Sequence, residues 1–406
     1  MDPTDIGSAG RTRREYLRYG GAVATAGLLA GCTGGEGSGS ATDTTGADPA
    51  TATAETTESA TEGDGEEYAV SMAPMGEVTF ERPPESWMAY FSTYGDMALA
   101  LGRWEDATGL IFTDNWPTEL VNSLPDVEVD FEGITQLMGE GGIDKELFYE
   151  LDSDVHLFDP NFVQILDDGW TDEEFAEVAE NVGPIVGNSI RRRGADWHDY
   201  RYYDLYEAFE KVAEVFRERE RYEAVAELHA GLQTDIAENL PPAEERPTVG
   251  LLSVNSDFEG GSFYAYPVHD GNGHKQYRDL GIRGAFDDLI EGSYAEWDYE
   301  QLLEADPDVL LFQYGLSHVS TEEFEARMET MREDDVGSQL SAVQNDRLYR
   351  GGTSYQGPVI NLLQTEVAAK QFYPETFGDW HGIGEVPEDE RLFDHDALAA
   401  VITGEA

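Results

Sequence analysis

From Tyr68 onward, short apolar runs alternate with longer segments whose apolar residues recur at every third or fourth position. The short runs are typical of buried strands, and the longer segments are typical of amphipathic helices. This alternation predicts α/β units around a mostly parallel sheet. The clearest predicted strands are 87–91, 110–113, 155–159, 184–186, 248–254, 309–314 and 347–350. The clearest predicted helices are 96–101, 145–151, 172–181, 273–280, 299–304 and 358–371.

A longer helix is predicted over residues 222–240, in the middle of this region. Two prolines at 241 and 242 end it. A helix of this length spans roughly 28 Å and could join two lobes across a cleft. A surface helix of a single domain would show the same periodicity. The apolar residues that share one face are Val225, Leu228, Leu232, Ile236 and Leu240.

An internal repeat favours the two-lobed arrangement. Residues 143–159 align without a gap to residues 297–313, and eight of the 17 positions are identical. Five of those eight are acidic, so composition contributes to the match, but it does not explain the shared order of a short helix, a turn and a strand. We therefore predict a first lobe over 68–221, a connecting helix over 222–240 and a second lobe over 241–406.

The first 31 residues have the pattern of an export signal. Residues 12–18 read TRREYLR and precede an apolar stretch of about 12 residues, which is too short to cross a bilayer of ~30 Å. The paired arginines resemble a twin-arginine signal, which would direct export of a folded protein.

Cys32 is the only cysteine, so no intrachain disulfide is possible. It follows Leu-Ala-Gly and resembles the lipidated cysteine of a lipoprotein, although a cysteine that is removed with the leader would fit the same position. Lipidation would anchor the chain to the outer face of the cytoplasmic membrane. Residues 32–67 contain no aromatic or large aliphatic residue, which predicts a disordered, acidic linker.

The charge balance narrows the possible partners. Against 83 acidic residues stand 25 basic ones, giving a formal net charge of −58, so nucleic acid is excluded as a partner. Only four of the basic residues are lysines. An acid-rich, lysine-poor chain suits concentrated salt, where a Debye length of about 3 Å screens self-repulsion. A merely acidic protein of ordinary salinity is the alternative.

The repeat and its neighbours together resemble the substrate-binding proteins of ABC importers for ferric siderophores, haem and vitamin B12. Residues 300–308, EQLLEADPD, and 146–154, ELFYELDSD, resemble that family's Glu-x-x-x-x-Leu-x-Pro-Asp segment, with Ala305 in place of Leu and Ser153 in place of Pro. Three other segments also resemble the family, namely 78–87, 341–349 and 372–377. The resemblance implies a class III fold, with two Rossmann-like α/β lobes joined by one long helix and a ligand between them.

The same resemblance implies a role for one glutamate in each lobe. Glu146 and Glu300 would dock on arginines of an ABC permease dimer, whose ATPase subunits drive transport. One carboxylate per lobe would fix the orientation of a monomeric binding protein on a two-fold partner. Without the resemblance, these residues are simply acids near the N termini of helices, where the helix dipole favours them.

The ligand of a two-lobed α/β protein lies against loops that follow the strands. The aromatic candidates in such loops are Tyr94, Trp116, Phe162, Tyr264, Tyr266, Tyr314 and Tyr355. They suit a large, partly apolar ligand with polar edges. The basic candidates are Arg191, Arg192 and Arg193, which would meet an anionic ligand or else neutralise nearby acids.

These features favour capture of a small-molecule metal chelate. We expect a ferric siderophore, of hydroxamate type in the first place, with cobalamin or haem as the alternative in the same class. Because the iron arrives chelated, we expect neither a resident cofactor nor a protein metal site; His269 and His274 lack a defined ligand spacing. The alternative of another class is a secreted halophilic hydrolase, although residues 352–356 lack the second glycine of a nucleophile elbow.

Overall fold

The structure is a computed structural model that describes residues 67–90, 92–113 and 116–405. The predicted leader, Cys32 and all but the last residue of the predicted linker lie outside these residues. The described chain begins with a hairpin in which Tyr68–Met72 pairs antiparallel with Gly76–Phe80.

The first sheet is parallel, as predicted. Its strands lie in the order Thr135–Gln136, Ala107–Leu110, Trp87–Ala89 and Val155–Leu157. An isolated parallel bridge between His156 and Ile185 extends it. The strand predicted over 110–113 was placed too late, because the strand ends at Leu110 and the apolar run continues past it into the buried Ile111 and Phe112. A small hairpin pairs Met138–Gly139 with Gly142–Ile143.

The second sheet is mixed. Its strands lie in the order Ala295–Asp298, Ser262–Tyr266, Thr248–Ser253, Val309–Gln313 and Leu348–Arg350, with Arg283–Gly284 paired to Thr248–Ser253. The last three strands of that order are parallel, as predicted. Ser262–Tyr266 is antiparallel to both of its neighbours. The connection over 254–261 explains why Ser262–Tyr266 runs antiparallel to Thr248–Ser253, since it is shorter than the dozen or more residues that a parallel crossover requires.

The two segments of the internal repeat also have the same local structure. Helices Lys145–Leu151 and Tyr299–Ala305 each span seven residues and begin at a capping aspartate, Asp144 or Asp298. Each ends at an aspartate in the left-handed conformation, namely Asp152 with φ 46° and Asp306 with φ 36°. Each is followed by a buried strand that pairs in parallel with the central strand of its own sheet.

The predicted long helix runs Arg219–Asn239, three residues earlier at its start than expected and one residue earlier at its end. Val225, Leu232 and Ile236 form its buried face. The precise limits of the two lobes on either side of it stay a prediction. The other helices are Ser92–Ala100, Thr118–Val121, Pro160–Leu166, Asp172–Asn181, Leu205–Phe216, Lys275–Asp279, Gly315–His318, Thr321–Glu333, Ser341–Gln344, Pro358–Phe372, Pro374–Phe377 and His395–Thr403.

Apolar side chains cover both faces of both sheets. Along Val309–Gln313, Val309 and Leu311 belong to one core cluster, while Leu310 and Phe312 belong to the other. This alternation is the two-residue period of a strand. Helix Pro358–Phe372 is buried along its whole length and packs against Ser92–Ala100 of the first lobe. One core cluster therefore extends through both lobes.

Candidate functional site

A cavity lies where strand ends of the two lobes meet. It is lined by Tyr90, Thr93, Tyr94, Phe158, Asp159, Phe162, Asn188, Ser189, Ile190, Arg191 and Tyr355. Four of the residues predicted from the sequence are among them: Tyr94, Phe162, Arg191 and Tyr355. Because the strands are parallel, their carboxyl ends bring these loops to one edge of each sheet.

The first-lobe wall is aromatic. Tyr90 directly follows the central strand, and its ring meets Phe162 edge to face at 4.9 Å between centroids. The hydroxyl of Tyr94 donates to the Asn188 carbonyl at 2.8 Å and accepts from the Asn188 N–H at 2.7 Å. Because its hydroxyl is used in this way, Tyr94 offers the cavity its ring rather than a polar group.

Asp159 is the buried acid of the cavity, and it caps helix Pro160–Leu166. Its Oδ1 accepts from the Asn161 N–H at 3.0 Å. Its Oδ2 accepts from the Ser189 N–H at 2.8 Å and from the Tyr200 hydroxyl at 2.6 Å. Every one of these partners lies in the first lobe, so Asp159 braces that wall. Burial, together with the same carboxylate, raises the pKa of Tyr200 far above its usual value.

A cation and an aromatic ring close the other side. The Arg191 guanidinium lies 4.7 Å from the centroid of the Tyr355 ring. Its Nη1 is 3.5 Å from the Ser354 hydroxyl, which in turn lies 2.8 Å from the Tyr314 hydroxyl. Arg191 thus joins the segment before the connecting helix to the second lobe, at the cavity itself.

Tyr314 adopts an unusual backbone conformation at the end of its strand, with φ 65° and ψ 5°. A bulky side chain rarely adopts this region, and such strain is concentrated at functional sites. The Tyr314 ring stacks on His318 at 5.1 Å and lies 6.3 Å from Tyr355. The row Tyr355, Tyr314 and His318 therefore runs along the second lobe away from the cavity.

That aromatic row leads to a second, more open space between the lobes. This groove is lined by Trp116, Thr118, Glu119, residues 316–320, Glu323 and Arg350. The Trp116 indole N–H is buried and has no hydrogen-bond partner among the described residues. The rings of Tyr355, Tyr314 and His318 thus connect the cavity to the groove.

The remaining predicted residues lie off the cavity lining. Arg192 is half-buried, and burial lowers its pKa with help from Arg191. Arg193 stacks on the Tyr202 ring at 5.2 Å. Tyr264 and Tyr266 lie on a strand and contact Tyr294 instead, at 5.8 and 6.2 Å between ring centroids. The role of all four in ligand binding stays a prediction.

Glu146 and Glu300 occupy equivalent positions. Each is the second residue of its repeat helix, and each is exposed. Neither carboxylate has an ion-pair partner within the described part of the chain. They therefore present one free carboxylate on each lobe.

The described residues contain no group of three or more His, Cys, Asp or Glu side chains arranged to hold a metal ion. No helix within 67–405 combines the length and the apolar character required to cross a bilayer.

Residues 88–355, which supply the strand ends, the cavity and the connecting helix, match the family model described as periplasmic binding protein. The chain belongs to the periplasmic binding protein family. The family resemblance and the class III arrangement of two α/β lobes joined by one long helix are thereby confirmed. No curated protein sequence matches the chain significantly.

Solved structures of the periplasmic binding protein family agree with this fold. A periplasmic binding protein from Veillonella parvula is 14% identical, with 77% of this chain and 99% of that one covered at a TM-score of 0.56. Helicobacter pylori CeuE with Ni(II) bound is 13% identical, with 76% and 90% covered at 0.53. The iron uptake ABC transporter substrate-binding protein PiuA from Streptococcus pneumoniae is 14% identical, with 75% and 97% covered at 0.53. At identities this low, the structural agreement shows that the proteins share a fold and nothing more.

Sequence reasoning missed several residues of the cleft. Tyr90 and Asp159 were assigned to strands, but each follows the last paired residue of its strand and lines the cavity. Asn188 also lines the cavity. Its segment pairs with the first sheet only through the isolated bridge at Ile185, so no strand end marks its position. The Asp159-Pro160 pair could have revealed a helix start at this position, because Asp is a favoured N-cap and Pro a favoured first helical residue.

Proposed function

We propose that this periplasmic binding protein captures a ferric siderophore and delivers it to an ABC importer permease. The cavity between the lobes carries the proposal, because it combines aromatic walls with the Arg191 guanidinium in a chain of net charge −58. Rings offer apolar contact area to the organic part of a chelate, and an arginine offers a cation to its acidic edge.

The related structures support a cargo that contains a metal ion. PiuA is described as an iron uptake protein, and CeuE binds Ni(II) in its solved structure. A chelated ion needs no ligand from the protein, which suits a cavity whose single acid, Asp159, already has partners of its own. A hydroxamate chelate is the first cargo to test, and haem and cobalamin are the rivals within the class.

Delivery would use the two exposed glutamates. Glu146 and Glu300 stand at equivalent points of the two repeat helices, so they suit a partner with two-fold symmetry. We further propose that the chain acts as a monomer, is exported by the twin-arginine route and is lipid-anchored at Cys32. The ATP that drives transport would be hydrolysed by separate subunits.

Calorimetry in molar salt tests the cargo. Ferric hydroxamate, ferric catecholate, ferric citrate, haem and cobalamin are titrated into the protein separately. We expect saturable binding of at least one ferric siderophore at micromolar concentration or below, with the chelate recovered unchanged. If only haem or cobalamin binds, that molecule is the cargo instead of a siderophore. Chemical turnover of the chelate would contradict a transport role.

A further inference from the structure

Asp96 lies in helix Ser92–Ala100 of the first lobe and is fully buried. Its Oδ2 accepts a hydrogen bond of 3.0 Å from the backbone N–H of Ile360, 264 positions later in the chain. The backbone of Gly357 and Val359 also favours the charged form of this carboxyl group. Asp96 therefore caps the N terminus of helix Pro358–Phe372, an element of the other lobe.

The second lobe cannot supply this cap itself. Gly357 is the N-cap residue of the helix, and it has no side chain with which to accept a hydrogen bond. A Cβ atom at Gly357 would lie 2.5 Å from the Asp96 Oδ2, so glycine is what permits the approach. The sequence of one lobe is thus adapted to a carboxyl group of the other.

The contact lies beside the ligand cavity. One turn before Asp96, the Ser92 hydroxyl donates to the carbonyl of Tyr355. Tyr355 lines the cavity and stacks with Arg191. Two residues of one first-lobe helix therefore hold the segment 355–360, and with it the Tyr355 ring.

We propose that Asp96 is an interlobe latch, which holds the cleft closed and positions Tyr355 until opening brings water to its carboxyl group. Opening separates the carboxyl group from the Ile360 N–H and from the N terminus of this helix. The open cleft then exchanges those hydrogen bonds for hydration of the carboxylate.

The latch responds to pH because its two states hold the proton differently. Burial raises the pKa of Asp96 to about 8, even though the backbone hydrogen bonds lower it. A hydrated carboxyl group in the open cleft has a pKa near its ordinary value of 3.8. Protonation thus favours the closed form, and the latch weakens as the pH rises from about 4 to about 8.

Asp96 is the buried acid of this contact. His229 of the connecting helix stacks on the Tyr206 ring, but burial lowers its pKa to about 3, so it is neutral throughout this range in the closed form. The Tyr206 phenol interacts electrostatically with Asp96, but burial raises the pKa of that phenol well above 10. Other charged groups on the elements packed against its helix have partners of their own: Glu366 with His395, Lys370 with the Phe377 carbonyl, Arg221 with the Val401 carbonyl, Lys211 with Glu214 and Asp106 with Arg103.

Hydrogen exchange of the ligand-free protein tests the latch, so its outcome does not depend on the identity of the cargo. The measurement is the opening equilibrium of the Val359 and Ile360 amides in molar salt from pH 5 to pH 9, corrected for intrinsic exchange rates. We expect opening to increase by up to about tenfold per pH unit between pH 5 and pH 7 and to level off above pH 8.

Three variants distinguish the latch from a purely structural contact. Asp96→Asn keeps the acceptor but cannot ionise, so its opening should be independent of pH. Ser92→Ala should raise opening at every pH without changing the slope. Asp159→Asn, whose carboxylate bonds stay within the first lobe, should retain the wild-type slope. A flat wild-type profile, or the same slope in Asp96→Asn, would overturn the proposal.

Discussion

The carboxyl groups of Asp154 and Asp308 make the same hydrogen bonds in the two lobes. The Oδ2 of Asp154 accepts from the Glu85 N–H, and that of Asp308 accepts from the Thr248 N–H, both at 2.8 Å. In return, each aspartate donates its own N–H to a hydroxyl, Ser86 or Thr248, at 3.0 Å. The repeated strand is thereby pinned to the start of the central strand in both lobes.

Replacing one of these aspartates should weaken its lobe. Asp308→Ala leaves the Thr248 N–H and hydroxyl without their acceptor and should lower the free energy of unfolding by about 1 kcal/mol, since both groups can turn to water. Denaturant unfolding in molar salt measures the change. Glu304→Ala is the matched control, because Glu304 is exposed on the helix that precedes Asp308 and has no ion-pair partner in the described chain. Equal losses in both variants would contradict the pinning role.

The docking proposal predicts a separation of uptake from binding. Glu146→Ala combined with Glu300→Ala should abolish chelate uptake by cells that carry the partner permease, while calorimetry shows unchanged affinity. The control pair Glu150→Ala with Glu304→Ala removes the same charge from the same two helices and should leave uptake intact. Loss of uptake in both pairs would indicate an effect of overall charge instead.

Arg191 and Arg193 should contribute unequally to ligand affinity, although they are close in the sequence. Arg191→Gln removes the cation beside Tyr355 and should weaken binding of an anionic ferric chelate at least tenfold, because a charge-assisted hydrogen bond contributes about 1.5–3 kcal/mol. Arg193→Gln removes the same charge from a side chain that stacks on Tyr202 instead. It should change the affinity by less than about threefold. Titration of both variants with one chelate decides, and similar losses would favour a long-range electrostatic role.

A buried histidine predicts a loss of stability in mild acid. His156 is fully buried, its Nδ1 lies 2.9 Å from the Gly183 carbonyl, and burial lowers its pKa to about 4. The unfolded chain protonates this side chain near pH 6.5, so its contribution is complete above that pH and is lost as the pH falls toward 4, at up to about 1.4 kcal/mol per pH unit.

His156→Asn tests this assignment, because the amide keeps a donor for the carbonyl but does not titrate. Unfolding curves between pH 7 and pH 4 should be less steep in pH for the variant than for the wild type. The same pH dependence in both proteins would assign the acid sensitivity to other groups.

Local patterns predicted the elements that a single stretch of chain determines. The helix, turn and strand of the repeat were recognisable because Asp144 and Asp298 cap their helices locally, and the connecting helix because its apolar face has a helical period. Helix Leu205–Phe216 was not predicted, although it has a buried face. The chief sign of its start is the capping box formed by Asp204 and Glu207, which is a short signal.

The contacts between lobes were beyond reach from local patterns. Asp96 looks like any acid in an acid-rich chain, and its role depends on the backbone N–H of Ile360 in a distant segment. Similarly, a post-strand position predicted Tyr355 in the cleft, but nothing local distinguishes it from Tyr266, which lies within a strand and off the cavity lining.

Helix Pro358–Phe372 has a consequence for how the chain is made. It is buried on all sides and contacts Ser92–Ala100, so the core shared by the two lobes stays incomplete until this late segment has been synthesised. Contacts of such large sequence separation slow folding. The first lobe should therefore stay incompletely packed until translation ends. The two lobes should then complete their folding as one cooperative unit.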